Sequence, residues 1–504
     1  MSSRIGFSLT KIRSHSLDLL APLWLIFTAT LTRLAFFGYP ASVVFDETYA
    51  GKFLNYNWHG IFFFDVHPPL GKLLFLFTAK IVGADPTNIN FDTIGNVLPS
   101  TTLLLRLLPI ICGILLPIVV YLILRLLKVS RFASFAVGFL IVIENSLIVQ
   151  SRFMLNDSMM VLFGFIAILM YLLYRRSLDI QMKVKEVQYS KRLWNLFFIL
   201  SAIFASASFG VKWTGLLFTF FIIFLEITRL FSIQDKIISK VKRFYLSINF
   251  FKKIIRFVFF YFLIGGILYI AFFAISFSIL TKSGPGDAYM STEFNKTLTG
   301  SPANNSRLPA RGFIGKFFEL NIVMFEMNNT LTKPHQYSSK WYTWPIMTRP
   351  IFYWQGDKDA GVPNKDSPGE RYIYLLGNPF IYWFGTFSIL ALVFLSIFKR
   401  RIFMAENMGF LALFVLSGFA INFIPFKMIG RIMFLYHYEP ALIFSIMAIV
   451  LFTQIFGSVK FKKYFLIITL LIATIFFIFF SPLTYGLHLD SKGLSSRMWL
   501  STWR

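Results

Sequence analysis

Two adjacent carboxylates, Asp46 and Glu47, stand in the stretch VVFDETYAGKF, directly after an apolar run long enough to cross a bilayer. Adjacent acids suppress each other's ionisation, which lifts one pKa toward a range where a carboxylate can act as a general base. Neighbouring side chains point different ways, so one acid is expected to be the base and the other its orienter. A second set consists of ionisable residues in or beside other apolar runs. It comprises Arg106 in LLLRLLPIICG, Glu144, Arg152 and Asp157 in ENSLIVQSRFMLNDS, Lys212 in SFGVKWTG, and Arg431 with His437 in MIGRIMFLYHYEP. Each is costly in hydrocarbon and needs a partner or a watery cavity. Arg106, Lys212 and Arg431 have no acid close by in sequence and are expected to bind an anionic headgroup such as a phosphate. Arg152 and Asp157 read either as a structural ion pair or as part of the site.

Two further stretches carry candidates. In FFFDVHPPLGKLLF, Asp65 and His67 precede a Pro-Pro pair that can open a helix. That helix reads as interfacial, with Lys72 near the headgroups, or as a simple anchor. In KPHQYSSKWYTWPIMTRP, His335, Trp341 and Trp344 lie among aromatics suited equally to sugar rings and to a membrane-interface belt. The sequons at Asn295, Asn304 and Asn328 read as chance triplets of an Asn-rich segment. Phosphate-loop, dinucleotide and zinc motifs are missing, so neither a metal nor a cofactor is expected.

The elements that must position these residues are set by composition. Of 504 residues, 56% are hydrophobic and 19% aromatic, a polytopic membrane composition. About eleven spans are expected, among them a first at roughly 17–38, a third at 132–149 and a fifth at 193–209. The net charge of +26 does not imply nucleic acid. Its Lys and Arg gather in short loops between apolar runs: Arg4, Lys11 and Arg13 at the start, then Arg125, Lys128, Arg131, Lys185, Lys236, Lys240, Arg400 and Lys462. By the positive-inside rule the N-terminus and these loops are cytoplasmic, and the C-terminus lies outside. Two segments of roughly 39–101 and 281–372 then face outward, dividing the chain into a catalytic module at 1–280, an outward loop at 281–372 and a C-terminal four-helix-type module at 373–504. A single Cys112 excludes an internal disulfide framework.

An exported acid pair, outer-leaflet cations and aromatic loops suit an enzyme that moves a sugar from a lipid phosphate to a hydroxyl. Phosphate leaves without a general acid, whereas a weakly nucleophilic hydroxyl needs a base. A transferase acting on a lipid or glycan acceptor would share these features, and intramembrane charges also suit a transporter or flippase. Against a transporter, the two halves show no matching pair of Gly/Pro-broken helices.

FDETYAGKF, FFFDVHPPLGKLL, LRLLPIICG, SRFMLNDSM, GVKWTG, HQYSSKWYTWPIMTRP and GRIMFLYHYEPAL follow one another across about residues 40 to 445. They resemble the successive motifs of the protein O-mannosyltransferase family. The resemblance implies an all-α polytopic GT-C fold and a metal-independent, inverting enzyme. Such an enzyme moves mannose from a polyprenyl or dolichyl phosphate to Ser or Thr of translocating proteins. By motif position it makes Asp46 the catalytic acid, Glu47 its partner, and Arg106 and Lys212 basic residues at the donor phosphate. His335, Trp341 and Trp344 match a loop that helps close the site. A segment of roughly 90 residues cannot hold the β-trefoil MIR domain of eukaryotic members, which implies a compact prokaryotic-type member using a polyprenyl donor. The implied setting is the cell membrane (the endoplasmic reticulum if eukaryotic). Membrane lipids, exported proteins and the export translocon are the expected partners.

Overall fold

A computed structural model describes residues 20–183, 188–235, 242–330, 332–356, 369–404 and 408–503. Arg4, Lys11, Arg13, Lys185, Lys236 and Lys240, expected on the cytoplasmic side, lie outside the described residues. The apolar runs become helices because hydrocarbon offers a backbone no other way to pair its polar groups. Among the described residues, eight are long and apolar enough to cross a membrane: Ser100–Leu126, Asp157–Leu178, Trp213–Phe231, Phe250–Ile279, Pro379–Phe398, Met408–Met428, Leu435–Thr453 and Val459–Tyr485. A bent pair, Arg131–Val142 and Asn145–Arg152, makes a ninth if counted as one span. The expected first and fifth spans are the shorter apolar helices Leu20–Leu34 and Asn195–Val211. The Leu435–Thr453 window is 94% buried against protein and forms the axis of the bundle, whereas Phe250–Ile279 is 11% buried and turns its face outward.

The third expected span is not one straight helix, since its two halves meet at 57°. The cause is Glu144, whose carboxylate accepts from Leu147 N at 2.7 Å and starts a new helix there. The same carboxylate accepts from Ser146 Oγ at 2.7 Å and Asn378 N at 2.8 Å. An acid this deep is tolerable because its oxygens are satisfied from two elements. Nearby, Arg33 is fully buried and donates to Val142 O at 2.7 Å and Ile141 O at 3.0 Å, taking carbonyls that the break frees.

Among the described residues, three helices of more than ten residues stand outside the spans: α1 (Glu47–His59), α2 (Leu70–Val82) and α3 (Phe313–Thr330). With them lies a small antiparallel sheet, β1 (Ile351–Gln355), β2 (Gly369–Leu375) and β3 (His488–Asp490), in the order β1-β2-β3. No strand was expected. β3 brings residues near the end of the chain onto β2, pairing Gly369 with Asp490 and Arg371 with His488. Parallel bridges from Ile61 to Lys282 and from Lys282 to Thr299 join the segment 39–101 to the segment 281–372. Both segments and the last residues therefore gather at one end of the bundle.

Candidate functional site

The acid pair begins α1. Phe45 takes a left-handed φ of 37°, and its ring stacks on Tyr353 of β1 at 4.6 Å. Phe45 N donates to Tyr353 O at 3.1 Å, so the sheet fixes where α1 starts. From that turn the two acids diverge.

Glu47 is 1% exposed. Its Oε1 accepts from Arg106 Nε and from Met154 N, each at 2.8 Å. Its Oε2 accepts from Arg106 Nη2 at 2.7 Å and from Val44 N at 3.0 Å. Arg106 further donates to Pro40 O at 2.7 Å and Ser42 O at 2.8 Å, and its guanidinium lies 4.9 Å from the Phe153 ring centre. No acid stands near Arg106 in sequence, yet in the fold Arg106 is paired with one instead of standing open to a phosphate. Its acid lies 59 residues away in sequence, and every nitrogen of the fork is already bonded.

Asp46 is half-buried, and its carboxylate lacks a hydrogen-bond partner among the described residues. Burial raises its pKa to about 7; the Lys212 charge opposes that rise, and the Asp157 and Asp65 charges add to it. The group is thus poised between acid and base near neutral pH.

Asp157 and Lys212 form the neighbouring buried pair at 2.7 Å. Gln150 donates to Asp157 Oδ2 at 3.0 Å and accepts from the Tyr353 hydroxyl at 2.6 Å, linking the pair back to β1. The Lys212 ammonium then meets the face of Tyr436 at 4.6 Å. Arg152 is not the partner of Asp157, which corrects the ion-pair reading. Arg152 donates to Ala35 O and Phe36 O at 2.9 Å each and lies over Tyr485, closing the end of the first helix.

α2 approaches from the other side. A Cβ on Gly71 would stand 2.6 Å from Asn156 Oδ1, so only glycine lets α2 come this close to the turn before Asp157. Lys72 does not reach for headgroups; it is 8% exposed and turns back to Asp65, with His67 O at 2.7 Å and Pro68 O at 3.1 Å. An unpaired ammonium would be costly there, and Asp65 is its counter-charge. Burial holds the His67 imidazole well below its ordinary pKa, helped by the nearby Lys212, Arg431 and Lys72 charges. It is therefore neutral at pH 7.

Arg431 contacts His437 Nε2 at 3.4 Å and donates to Asn328 Oδ1 of α3. His437 stacks between Tyr436 at 4.6 Å and Trp344 at 5.8 Å. Trp344 is buried, with Nε1 on Ser339 Oγ at 3.0 Å, and Trp341 packs edge-on against Phe423 at 5.0 Å. His335 is exposed, with Phe434 5.1 Å away and Tyr337 5.8 Å away.

The structure thus brings together Asp46, His67, Asp157, Lys212, Arg431 and His437. It sets Glu47 and Arg106 beneath them as a brace, Trp344 behind His437, and Arg152, Trp341 and His335 farther out. Gln150, Tyr353 and Tyr436 were not foreseen, because a neutral polar residue or a tyrosine carries no charge anomaly for sequence to flag. Among the described residues, no group of three or more His, Cys, Asp or Glu could hold a metal ion.

Residues 23–281 match the family model for dolichyl-phosphate-mannose-protein mannosyltransferase. Residues 313–503 match the model for the C-terminal four-membrane-helix region of protein O-mannosyltransferase. The protein O-mannosyl-transferase 1 of Danio rerio is 32% identical over 282 residues, covering 55% of this chain and 36% of the relative. That match spans about a third of the relative's length. The dolichyl-phosphate-mannose–protein mannosyltransferase 1 of Saccharomyces cerevisiae is 22% identical over 703 aligned positions, covering 95% of this chain and 82% of the relative. A solved Saccharomyces cerevisiae protein O-mannosyltransferase Pmt1-Pmt2 complex, bound to its sugar donor, superposes with a TM-score of 0.82. It covers 97% of this chain and 92% of that one at 21% identity, a likeness of fold. With models of the family matched along most of its length and the fold shared, the chain belongs to the protein O-mannosyltransferase family.

Proposed function

We propose that the chain transfers mannose from a polyprenyl phosphate of the dolichyl type to Ser or Thr hydroxyls of exported proteins, with inversion and on the extracytoplasmic side. The observation that carries this reading is the contrast within the acid pair: Glu47 is saturated by Arg106, while the Asp46 carboxylate has no hydrogen-bond partner among the described residues and feels the charge of Lys212. Asp46 removes the proton from the acceptor hydroxyl as its oxygen bonds to the anomeric carbon of the sugar. The bond from that carbon to the phosphate oxygen breaks, and its electron pair leaves with the lipid phosphate. One displacement on the face opposite the leaving group inverts the anomeric centre. Lys212 and Arg431 stabilise the charge gathering on the phosphate, and neutral His67 offers it a donor. Arg106 acts through Glu47.

The sidedness rests on charge. Arg106 opens the Ser100–Leu126 span at the site end, and Arg125, Lys128 and Arg131 cluster at its other end, where the positive-inside rule places the cytoplasm.

Asp46→Asn keeps the shape of the side chain and removes the base, so transfer to a Ser/Thr peptide should fall by about 10² to 10⁴. Donor binding should hold. Retained turnover in proteoliposomes would exclude Asp46 as the base. Movement of the donor lipid across the bilayer without sugar transfer would favour a flippase.

A further inference from the structure

Asn328 was notable in the sequence only as the head of an Asn-Asn-Thr sequon. In the fold its side chain joins three elements. Nδ2 donates to Met324 O of its own helix at 2.9 Å and to Val66 O at 2.9 Å, the carbonyl directly before His67. Oδ1 accepts from Arg431, whose other terminal nitrogen contacts His437. Both amide hydrogens and the carbonyl oxygen are therefore engaged, with bonds running to a turn of the first outward segment and to the loop before the Leu435–Thr453 span.

We propose that Asn328 is a positioning residue that holds Arg431 and the His67 turn in register, and that it is not a glycan acceptor in the folded chain. The geometry leaves little choice. Arg431 sits on a loop of irregular backbone between two spans, and a long flexible guanidinium needs a fixed acceptor to be pre-aimed. A neutral amide oxygen orients it without cancelling its positive charge, which a carboxylate there would do. Attaching a sugar to Nδ2 would replace one of the two hydrogens, so the bonds to Val66 O and Met324 O could not both survive.

This proposal rests on the reading of Arg431 as a donor-phosphate residue, and its test is a double-mutant cycle on the full-length chain in proteoliposomes. Asn328→Ala should raise the KM for the lipid-phosphate sugar by about tenfold, the scale of one charge-assisted hydrogen bond, with kcat changed much less. In an Arg431→Ala background the same substitution should change KM by less than about threefold, because the two residues act as one unit. Asn328→Asp keeps the shape and the acceptor but supplies a negative charge, so it should raise KM at least as far as Ala. It also serves the cycle if the alanine variant does not fold. Thr330→Ala destroys the sequon while leaving Asn328 in place, and should match wild type in both activity and mass. Additive effects of Asn328→Ala and Arg431→Ala would overturn the positioning role. A Thr330→Ala variant with the Asn328→Ala defect, or one that loses a glycan mass, would overturn it as well. If wild type transfers no sugar while Asn328→Ala still weakens donor binding coupled to Arg431, the transfer reading fails and the positioning survives.

Discussion

Two buried ion pairs at the site end, Arg106–Glu47 and Lys212–Asp157, share a closest approach of 2.7 Å. They differ in closure. Every Arg106 nitrogen has a partner, both Glu47 oxygens accept twice, and the knot joins the Pro40 to Glu47 turn to the Arg106 helix and the Met154 backbone. Among the described residues, Lys212 makes one side-chain hydrogen bond, to Asp157, and then faces an aromatic ring, which attracts an ammonium without using up its N–H groups. A saturated pair is a brace, and a half-satisfied one can still receive an anion. Asp46 belongs with the second kind although it adjoins the first.

Breaking the closed pair should have the largest effect. Arg106→Ala leaves Glu47 buried and unpaired, and should lower stability by about 3–5 kcal/mol in thermal unfolding. Arg106→Lys should not restore it, because an ammonium cannot reproduce the fork. Normal stability with lost donor binding would return Arg106 to the phosphate.

Opening the second pair should act on the donor. Lys212→Ala should weaken use of the lipid phosphate by about 10- to 100-fold, the scale of a hydrogen bond to a charged group. It also leaves Asp157 uncompensated, so the sharper test adds Asp157→Asn. The double variant should recover folding in detergent but not donor affinity. Recovery of both would make the pair structural.

Titration separates the two acids more gently. With the Asp46 pKa at about 7, the rate should rise as pH climbs through 7 and level off above it, since the ionised form is the base. The same shift has the opposite sign for stability. The folded state holds this proton more tightly than the unfolded chain does, so ionisation at Asp46 removes stability as pH rises from about 4 to 7. Asp46→Asn should accordingly lose the rate profile and be no less stable than wild type. A pH-independent wild-type rate across 6 to 8 would argue against Asp46 as the titrating base.

His335, exposed and touching the aromatics Phe434 and Tyr337 at the edge of the site, should give the smallest effect. His335→Ala should change kcat/KM by no more than about twofold, the range of a surface substitution. A tenfold loss would show that its segment moves onto the site when donor and acceptor bind.

Much of this was legible in the residues. Continuous apolar runs force helices, because a membrane leaves a backbone polar group no other partner. Charges within those runs mark a site, because hydrocarbon penalises them. The same physics left the pairing open. Arg152 and Asp157 are neighbours in sequence yet have different partners, since one closes a helix and the other opens the next, with a turn between them. The sheet escaped notice because its third strand comes from a segment more than a hundred residues beyond the second, and all three are paired by backbone groups that carry no sequence signal.

The sequence by itself therefore determined that the chain is a helical membrane protein, that its carboxylate pair stands at a span's end, and that scattered cations await partners. Only the tertiary structure decided which acid is free. Glu47 and Asp46 are chemically alike, and their difference arises from a guanidinium 59 residues away that reaches one of them and not the other. Hydrogen-bond saturation is a property of positions in space, and adjacent residues can stand on opposite sides of it.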